Sequence, residues 1–582
     1  MSTVESESDV PAVDIVGSGF DAELPSRRRG LVAAIVPTTV LASHALRYGQ
    51  WIVDDAGLTF AFARSLASGH GPRLQPDGPV VEAVSNPAWA GLLVLARWLG
   101  LFDRGTWFGV SDLVLFPKVL AVICCAASFV CMFLIARHVR PERATAVTVI
   151  AGSATACVPS FVIWCVSGLE NSLFVLVVMA LAVALVGASA RSELLRGRTS
   201  VIVGSLVALA ALTRPDGIAF VLAFPVLVVW AVGVPCRRAI RAIRAIVRTV
   251  GVTVALVAPF VVWRLLTFDR WLPNTAVAKQ QGLPSIDDLR RVTDLMSYAG
   301  WAVVVLVVAL AWPRVSDFRS AARPLVVLLG VSMSSYAVLR PDWMAELRFA
   351  TAVWPLVSML AGLSAAVVID VRPARRLVPV AAVAAFVAVV TLSGWKERSD
   401  EFVSRPTVSI CAVARNTGYT FDTYADRLGI VDGTLLAVDG GGTSLTSRLR
   451  FVDLSGLGDP TIADLWAEGD MAGLRDHVFD EVRPTFIRIW SGWDGIAPSQ
   501  ILADPRLQRD YVAVWAPPDG GGNWVRRSAV VDPAVLDALQ RDAAHLAAIV
   551  DAPWPRSNTH WWCPGEMRPT EPADDPVSTL PV

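Results

Sequence analysis

The sequence WIVDD, at positions 51–55, directly follows the first long apolar run of the chain, from Leu31 to about Tyr48. Three arginines, Arg27 to Arg29, precede that run, and arginine in short loops marks the cytoplasmic side of a membrane. The run should therefore cross outward and bring Asp54 and Asp55 to the outer membrane face. Because a carboxylate at the bilayer centre costs about 2.5–3.5 kcal/mol on insertion scales, the pair should lie at the interface or face a wet cavity. An aspartate in such a cavity can act as a general base.

The composition is that of a membrane protein. Of the 582 residues, 54% are hydrophobic and 18% are charged, which is typical of a polytopic membrane protein with polar parts attached. The 51 basic and 51 acidic residues balance, so nothing indicates a nucleic-acid partner. Residues 1–26 are acidic and serine-rich without an apolar core, and we expect them to form a disordered cytoplasmic tail. The spacing of cysteine and histidine indicates no zinc site.

Arginine-rich loops alternate with other polar loops along residues 27–393, and this alternation predicts about eleven membrane crossings. The predicted crossings are residues 31–48, 113–136, 144–162, 172–190, 201–212, 218–234, 251–266, 301–312, 325–339, 349–369 and 377–392. An odd count places the N-terminus in the cytoplasm and residues 394–582 outside the cell. The apolar stretch from Pro87 to Leu101 is short for a crossing, and we expect a helix lying in the outer interface.

Residues 394–582 change character, because charge and glycine content rise and no apolar run long enough to span remains. Short apolar stretches predict strands and two longer segments predict helices, so we expect a soluble, extracytoplasmic α/β domain. The predicted strands are 435–438, 485–490 and 511–515, and the predicted helices are 462–479 and 533–550. The run Gly440-Gly441-Gly442 is more typical of a hairpin turn than of a nucleotide site. Cys411 and Cys563 bracket this domain, and we expect them to form a disulfide there.

Six polar clusters share one position, the outer ends of the predicted helices. They are Asp54/Asp55, Glu82/Asn86, Glu170/Asn171, Arg214/Asp216, Asn274/Lys279 and Asp342/Arg348. Each cluster alone is equally well explained as an interfacial helix cap or a solvated loop. Their gathering on one side of the membrane favours a shared cavity in which acids activate a hydroxyl and basic residues hold a phosphate. His70, in the first outer loop, is more typical of a loop hydrogen bond than of a catalytic group.

Several segments resemble one family in the same order along the chain. DDAGLTFAFARSLASGHGPRLQPDGPVVEAVSNPAWAGLL (54–93) resembles the first outer loop of actinobacterial membrane glycosyltransferases with the GT-C fold. SGLEN (167–171), TRPDG (213–217), PNTAVAK (273–279), PDWMAELRF (341–349) and DLSGLGDPTIA (453–463) resemble later landmarks of that family. The nearest family is that of the terminal β-(1→2) arabinofuranosyltransferases, which act on arabinogalactan and lipoarabinomannan.

The resemblance implies a multi-pass enzyme of the plasma membrane with decaprenyl-phosphoryl-arabinofuranose as lipid-linked donor and a cell-wall arabinan as acceptor. It implies that Asp54 or Asp55 accepts the acceptor proton. We expect the transfer to be inverting, and of the two acids we favour Asp54 as the base. In this scheme the donor phosphate is held by Lys279, Arg348 and Arg214. The residues expected to contact the substrates are Glu82, Asn86, His70, Glu170, Asn171, Asn274, Asp342 and Trp343. No cofactor beyond the lipid-linked donor is expected, and a requirement for a divalent metal is left open.

Three alternatives stay open at this point. The chain transfers another polyprenyl-phosphate-linked sugar to a cell-envelope glycan, or transports a lipid-linked sugar, or is a non-catalytic assembly or sensor protein. A transporter should carry charged or broken-helix features near the bilayer midplane and two repeated halves, and the sequence indicates neither. The tryptophans of the outer domain, Trp490, Trp493, Trp515 and Trp524, either stack on glycan or pack in a core.

Overall fold

A computed structural model describes most of the chain between Phe20 and Arg568. The described residues are 20–232, 236–279, 288, 290–298, 300–313, 315–340, 343–371, 374–490, 495–517, 520–550, 563 and 566–569. Asp342 and Trp493 lie outside them, as does most of the predicted tail, residues 1–26. The first helix begins at Phe20, inside the range predicted for that tail.

Helices form nearly all of the described chain up to Ser404. Their bounds are α1 Phe20–Ala45, α2 Asp54–Ala67, α3 Pro87–Trp98, α4 Asp112–Val139, α5 Ala144–Cys157, α6 Pro159–Cys165, α7 Asn171–Ala190, α8 Gly197–Thr213, α9 Ala223–Val232, α10 Cys236–Phe268, α11 Asn274–Lys279, α12 Val292–Tyr298, α13 Trp301–Ala311, α14 Ser316–Val338, α15 Val353–Val371 and α16 Ala374–Ser404. A small hairpin, β1 Thr106–Trp107 with β2 Val110–Ser111, precedes α4.

Six helices in the described part of the chain are long and apolar enough to cross a membrane, namely α1, α4, α7, α10, α14 and α15. The pair α5 and α6 adds a seventh if its 78° bend lies within one span. The helical segments at 197–213 and 215–231 are apolar but shorter. The remaining predicted crossings also fall on helices, α13 and α16, so the count of about eleven stays a prediction.

Two of the helix breaks have a local cause, because each precedes a proline. Val158 lies just before Pro159 and Arg214 just before Pro215, and both have extended backbone torsions. Proline disfavours the helical conformation of the residue before it, so the helix stops at that residue. The second break leaves Arg214 at the C-terminal end of α8, where it is buried.

A five-stranded mixed sheet organises the chain after residue 430. Its strands are β3 Thr434–Ala437, β4 Arg450–Asp453, β5 Phe486–Trp490, β6 Tyr511–Trp515 and β7 Gly521–Arg526, in the order β4-β3-β5-β7-β6. The strands β4, β3 and β5 are parallel, and β7 and β6 are antiparallel to their neighbours. Alternate residues enter two cores, with Leu436 and Ile487 on one face and Leu435 and Phe486 on the other.

Helices cover both faces of this sheet. Their bounds are α17 Ile410–Val413, α18 Thr420–Arg427, α19 Gly440–Thr446, α20 Pro460–Glu468, α21 Met471–Asp476, α22 Pro505–Asp510 and α23 Pro533–Val550. The prediction of a hairpin turn at Gly440-Gly441-Gly442 was wrong, because these glycines form the first turn of α19. Trp515 and Trp524 are half-buried and pack against the two cores, in line with the packing alternative.

Two helices of the C-terminal part, α17 and α19, pack into the hydrophobic core of the membrane helices. Ile410, Cys411 and Leu445 belong to the same buried cluster as the side chains of α1, α4 and α7. Cys411 is disulfide-bonded to Cys563, as predicted, and their Cα atoms lie 5.0 Å apart. The backbone N–H of Cys563 also donates to Oε1 of Gln50, at 3.2 Å. The C-terminal part is therefore packed directly against the segment that carries the acid pair.

Candidate functional site

The WIVDD segment is held between two distant parts of the chain. The backbone N–H of Val53 donates to the carbonyl of Ser167, and that of Asp54 donates to Val408, both at 3.0 Å. In return, the N–H of Ile410 donates to the carbonyl of Ile52, also at 3.0 Å. This pairing ends at Asp54, the first residue of α2. It places the acid pair at the junction of the SGLEN loop and the chain that leads to α17.

Asp54 is held by the backbone of α19. Its Oδ2 accepts from the N–H of Gly441 at 3.0 Å, and its Oδ1 accepts from the N–H of Gly442 at 2.7 Å. The residue is only 4% exposed. Burial, together with the nearby carboxylate of Asp439, raises the pKa of Asp54 well above its ordinary value, and the two amide hydrogen bonds oppose that rise.

Asp55 has a different environment from its neighbour. It is half-buried, whereas Asp54 is buried. Successive side chains on a helix point about 100° apart, so the two carboxylates cannot face the same proton. The acid pair therefore divides into one carboxylate fixed by the fold, Asp54, and one that retains access to solvent, Asp55.

Three of the predicted clusters meet around the carboxylate of Glu170. The amide Nδ2 of Asn86 donates to Oε2 of Glu170 at 2.7 Å, and Nη1 of Arg214 donates to Oε1 at 3.4 Å. Nε of Arg214 donates to Oδ1 of Asp216 at 2.9 Å. The side chains of Asn86, Glu170, Arg214 and Asp216 are all buried, with at most 11% of any of them exposed. We call this set the Glu170 network.

The Glu170 network lies next to the acid pair because the SGLEN loop approaches α2 closely. Gly168 has a φ of +89°, and a Cβ there would lie 2.8 Å from a methyl carbon of Ile52. Its carbonyl accepts from the indole N–H of Trp89 at 3.1 Å. Glycine is required at this position both for the torsion and for the close approach.

Two predicted phosphate-binding arginines share one aromatic ring. The guanidinium carbons of Arg214 and Arg348 lie 5.0 and 4.8 Å from the centre of the Phe349 ring. Asn171 fixes the backbone beside them, since its Nδ2 donates to the carbonyl of Arg348 at 3.3 Å and to Oγ1 of Thr351 at 2.9 Å. The positive charges of both arginines therefore lie at the same ring, and Arg214 also contacts Glu170.

Glu82 is tied to a membrane helix rather than to the Glu170 network. Nε and Nη2 of Arg264, in α10, donate to its two oxygens at 2.5 and 2.9 Å. Burial raises the pKa of Glu82, and the hydrogen bond and charge of Arg264 oppose that rise. Sequence reasoning missed Arg264, although an arginine within the apolar sequence VVWRLL is a signal for a buried acidic partner.

The PNTAVAK and DLSGLGDPTIA segments are bound to each other. Nδ2 of Asn274 donates to the carbonyls of Gly456 and Leu457 at 2.6 and 3.0 Å, and Arg270 forms a two-point ion pair with Asp464. Lys279 is exposed at the end of α11, and its carbonyl accepts from Arg340 at 2.9 Å.

The remaining predicted site residues stand apart from these contacts. His70 is exposed just beyond the end of α2, and Trp343 is 50% exposed. Where the structure describes the chain, no three His, Cys, Asp or Glu side chains come together as a metal site. The residues that sequence reasoning missed, Gly441 and Gly442, act through their backbone, and a glycine run after a predicted strand was their only signal.

Comparison with known proteins identifies the fold. No family model and no curated protein matches the chain. The apo structure of the Archaeoglobus fulgidus oligosaccharyltransferase is similar, with 12% identity and a TM-score of 0.53, covering 85% of this chain and 74% of that one.

Two further solved structures are less similar. ArnT from Cupriavidus metallidurans, bound to undecaprenyl phosphate, has 14% identity and a TM-score of 0.43 over 79% of this chain and 80% of that one. The arabinosyltransferase EmbB from Mycobacterium smegmatis has 15% identity and a TM-score of 0.42 over 75% of this chain and 37% of that one. Likenesses at this level do not bear on the sugar or the acceptor. The similarity to the archaeal enzyme and the apolar helices together support a multi-pass membrane protein with the GT-C fold expected from the sequence.

Proposed function

We propose that the chain is a membrane glycosyltransferase that moves a sugar from a polyprenyl phosphate to a hydroxyl of a cell-envelope glycan. The observation that carries the proposal is the Glu170 network, with two arginines at one ring, on the SGLEN loop that is hydrogen-bonded to the segment carrying the half-buried Asp55. An acid that accepts a proton and cations that hold a phosphate are the two parts that such a transfer requires. The oligosaccharyltransferase-like fold supports the same class of reaction.

The proposed reaction is a single displacement. The acceptor hydroxyl oxygen forms a bond to the anomeric carbon of the donor sugar while the bond from that carbon to the phosphate oxygen breaks. The phosphate departs with the bonding electron pair as polyprenyl phosphate, and the hydroxyl proton passes to Asp55. Attack opposite the leaving group inverts the anomeric centre.

The arginines differ in their proposed tasks. Arg214 already donates to Glu170 and Asp216, so its main task is to orient Glu170. Arg348 lies between two aromatic rings, 4.8 Å from the centre of Phe349 and 6.0 Å from that of Trp164. A guanidinium stacked in this way suits a planar, multidentate contact with phosphate oxygens. We assign the donor phosphate to Arg348, with Lys279 as a second cation that reaches it when donor is bound.

The finer identity of the substrates rests on the sequence resemblance. It points to arabinofuranose as the sugar, decaprenyl phosphate as the carrier and an arabinan of arabinogalactan or lipoarabinomannan as the acceptor. In this proposal the site opens to the outer face of the plasma membrane, the N-terminus is cytoplasmic and the chain from residue 394 onward is extracytoplasmic. Asn86, Glu170 and Asn171 then position the groups that contact the sugar, and the exposed Trp343 offers a stacking face for it.

Transfer is tested with the purified chain in lipid nanodiscs. Synthetic polyprenyl-phosphoryl sugars, including the arabinofuranosyl donor, are mixed with arabinan oligosaccharides, and products are detected by mass spectrometry. Asp55→Asn should lower the rate by about 10²–10⁴, the usual contribution of a general base. Asp77→Asn, at an exposed position in the same loop, is the matched control and should retain full activity.

The outcomes of this experiment distinguish a transferase from a transporter, identify the sugar and test the role of Asp55. If the wild-type chain transfers no sugar from any polyprenyl donor yet moves labelled donor across the bilayer of sealed proteoliposomes, the transferase proposal fails and the transporter alternative replaces it. Transfer from a hexosyl donor alone overturns the arabinosyl assignment. Near-full transfer by Asp55→Asn removes Asp55 from the base role.

A further inference from the structure

The acid-bearing helix α2 and the short helix α19 are joined at both ends by charges that match the helix dipole. At the N-terminus of α19, the carboxylate of Asp54 accepts from Gly441 and Gly442. At the other end, Nη1 of Arg64 donates to the carbonyl of Leu445 at 2.8 Å. Anions are stabilised at helix N-termini and cations at C-termini, so both contacts favour this one alignment.

Glycines make this alignment possible between the two ends. A Cβ on Gly57 would lie 2.7 Å from the Cα of Gly441, closer than any carbon can pack. A Cβ on Gly441 would collide with the backbone carbonyl of Asp54, and one on Gly442 with the backbone around Ala414. The GGG sequence thus brings the backbone of α19 into direct contact with the start of α2.

We propose that α19 is a positioning element for catalysis, in which the backbone amides of Gly441 and Gly442 fix Asp54 and so set the orientation of Asp55. This inference rests on the proposed function of Asp55. Asp54 is then a positioning residue rather than the proton acceptor, and part of the sheet-containing region is a working component of the active site. The disulfide between Cys411 and Cys563 secures the same region, because Cys411 lies in α17 against α19.

The inference separates the two aspartates by their kinetic signatures. In Asp54→Asn the side-chain oxygen still accepts from one of the two glycine N–H groups, Gly441 or Gly442. The other N–H faces the NH₂ group of asparagine, which cannot accept, so one of the two hydrogen bonds is lost. This substitution should lower kcat about ten- to hundredfold, leave donor binding unchanged and retain the acidic limb of the pH–rate profile, which belongs to Asp55. Asp55→Asn should remove that limb, and formate as an external base should restore activity to Asp55→Gly, where the missing side chain leaves room for it, but not to Asp54→Asn.

Gly441→Ala tests the contact from its other side. It should lower kcat to a similar degree, and its combination with Asp54→Asn should add little, because both changes break the same contact. Gly495→Ala is the matched control, since a Cβ there meets no atom within 4 Å, and it should leave kcat unchanged. Binding of undecaprenyl phosphate to each variant reports whether the lipid site is intact.

Hydrogen exchange decides the matter if Gly441→Ala does not fold. The amides of residues 441 and 442 should both be protected in the wild-type chain, and one of the two should lose protection in Asp54→Asn, while those of β3 keep it. Full kcat in a folded Gly441→Ala, or unchanged protection in Asp54→Asn, overturns the inference without touching the transferase proposal. A wild-type chain that shows the predicted protection but transfers no sugar contradicts the proposed function instead.

Discussion

Arg264 of the membrane helix α10 and Glu82 of the loop between α2 and α3 form a buried, two-point ion pair. Nε and Nη2 of Arg264 donate to the two carboxylate oxygens of Glu82 at 2.5 and 2.9 Å. Nη1 of Arg264 also donates to the carbonyl of Trp271 at 3.2 Å. One guanidinium therefore joins α10, the loop that follows it and the loop between α2 and α3. This pair fixes both loops to α10, and the contact of Glu82 with substrate stays a prediction.

Removing one partner of this pair should destabilise the chain strongly. Glu82→Ala leaves the Arg264 charge buried without its carboxylate, and loss of one partner of a buried pair typically costs about 3–5 kcal/mol. Lys396→Ala, which breaks the exposed pair with Asp400, is the control and should cost less than about 1 kcal/mol. Thermal unfolding in detergent measures both, and equal shifts would contradict the role of burial.

Replacing Glu170, the centre of the Glu170 network, should lower the rate of sugar transfer. A glutamine there can accept from Asn86 or from Arg214 but not from both in the manner of a carboxylate, and it removes the charge that Arg214 faces. We expect Glu170→Gln to lower kcat/KM by about ten- to hundredfold, or about 1.4–2.7 kcal/mol of transition-state stabilisation. Initial rates of sugar transfer test this. Glu142→Gln, exposed in the short turn between α4 and α5, should not change the rate.

Much of this site was accessible from the sequence because it is built on helix ends. Glu170, Asn171 and Arg214 lie where apolar runs stop, and the positions of those runs follow from composition alone. The contact of Asp54 with Gly441 was not accessible, since it joins residues far apart in the chain through backbone amides. Arg264 was hidden for another reason, because a single arginine in an apolar run does not reveal its partner. Local patterns predict elements and their ends, whereas long-range pairing depends on tertiary packing.

Membrane topology is the third testable expectation. The arginine-rich segment at the start of α10 should face the cytoplasm, and the chain beyond residue 394 should face outward. In a background without free thiols, Val431→Cys should react with an impermeant maleimide on intact cells, whereas Arg244→Cys should react only after permeabilisation. Both positions are exposed, so access to solvent does not distinguish them. Reaction of both from outside would overturn the arrangement and with it the outward-facing site.

Asp453, at the end of β4, should give the chain a stability that depends on pH. It is fully enclosed and accepts from Ser455 and Gly458, and burial raises its pKa to about 7 in spite of those hydrogen bonds. The unfolded chain releases the same proton near pH 4. Between these values the folded state holds more protons than the unfolded state, so stability must fall as pH rises.

The comparison of wild type with Asp453→Asn isolates this effect, because asparagine does not titrate. The advantage of the wild type in unfolding free energy should shrink between about pH 5 and pH 7, by at most about 1.4 kcal/mol per pH unit, and become constant above pH 8. Unfolding temperatures measured in detergent from pH 5 to 8.5 provide the test, with Asp532→Asn, at an exposed position, as the control. Parallel curves for wild type and Asp453→Asn would mean that the carboxylate is ionised throughout, held in that state by the amides of the DLSGLG loop.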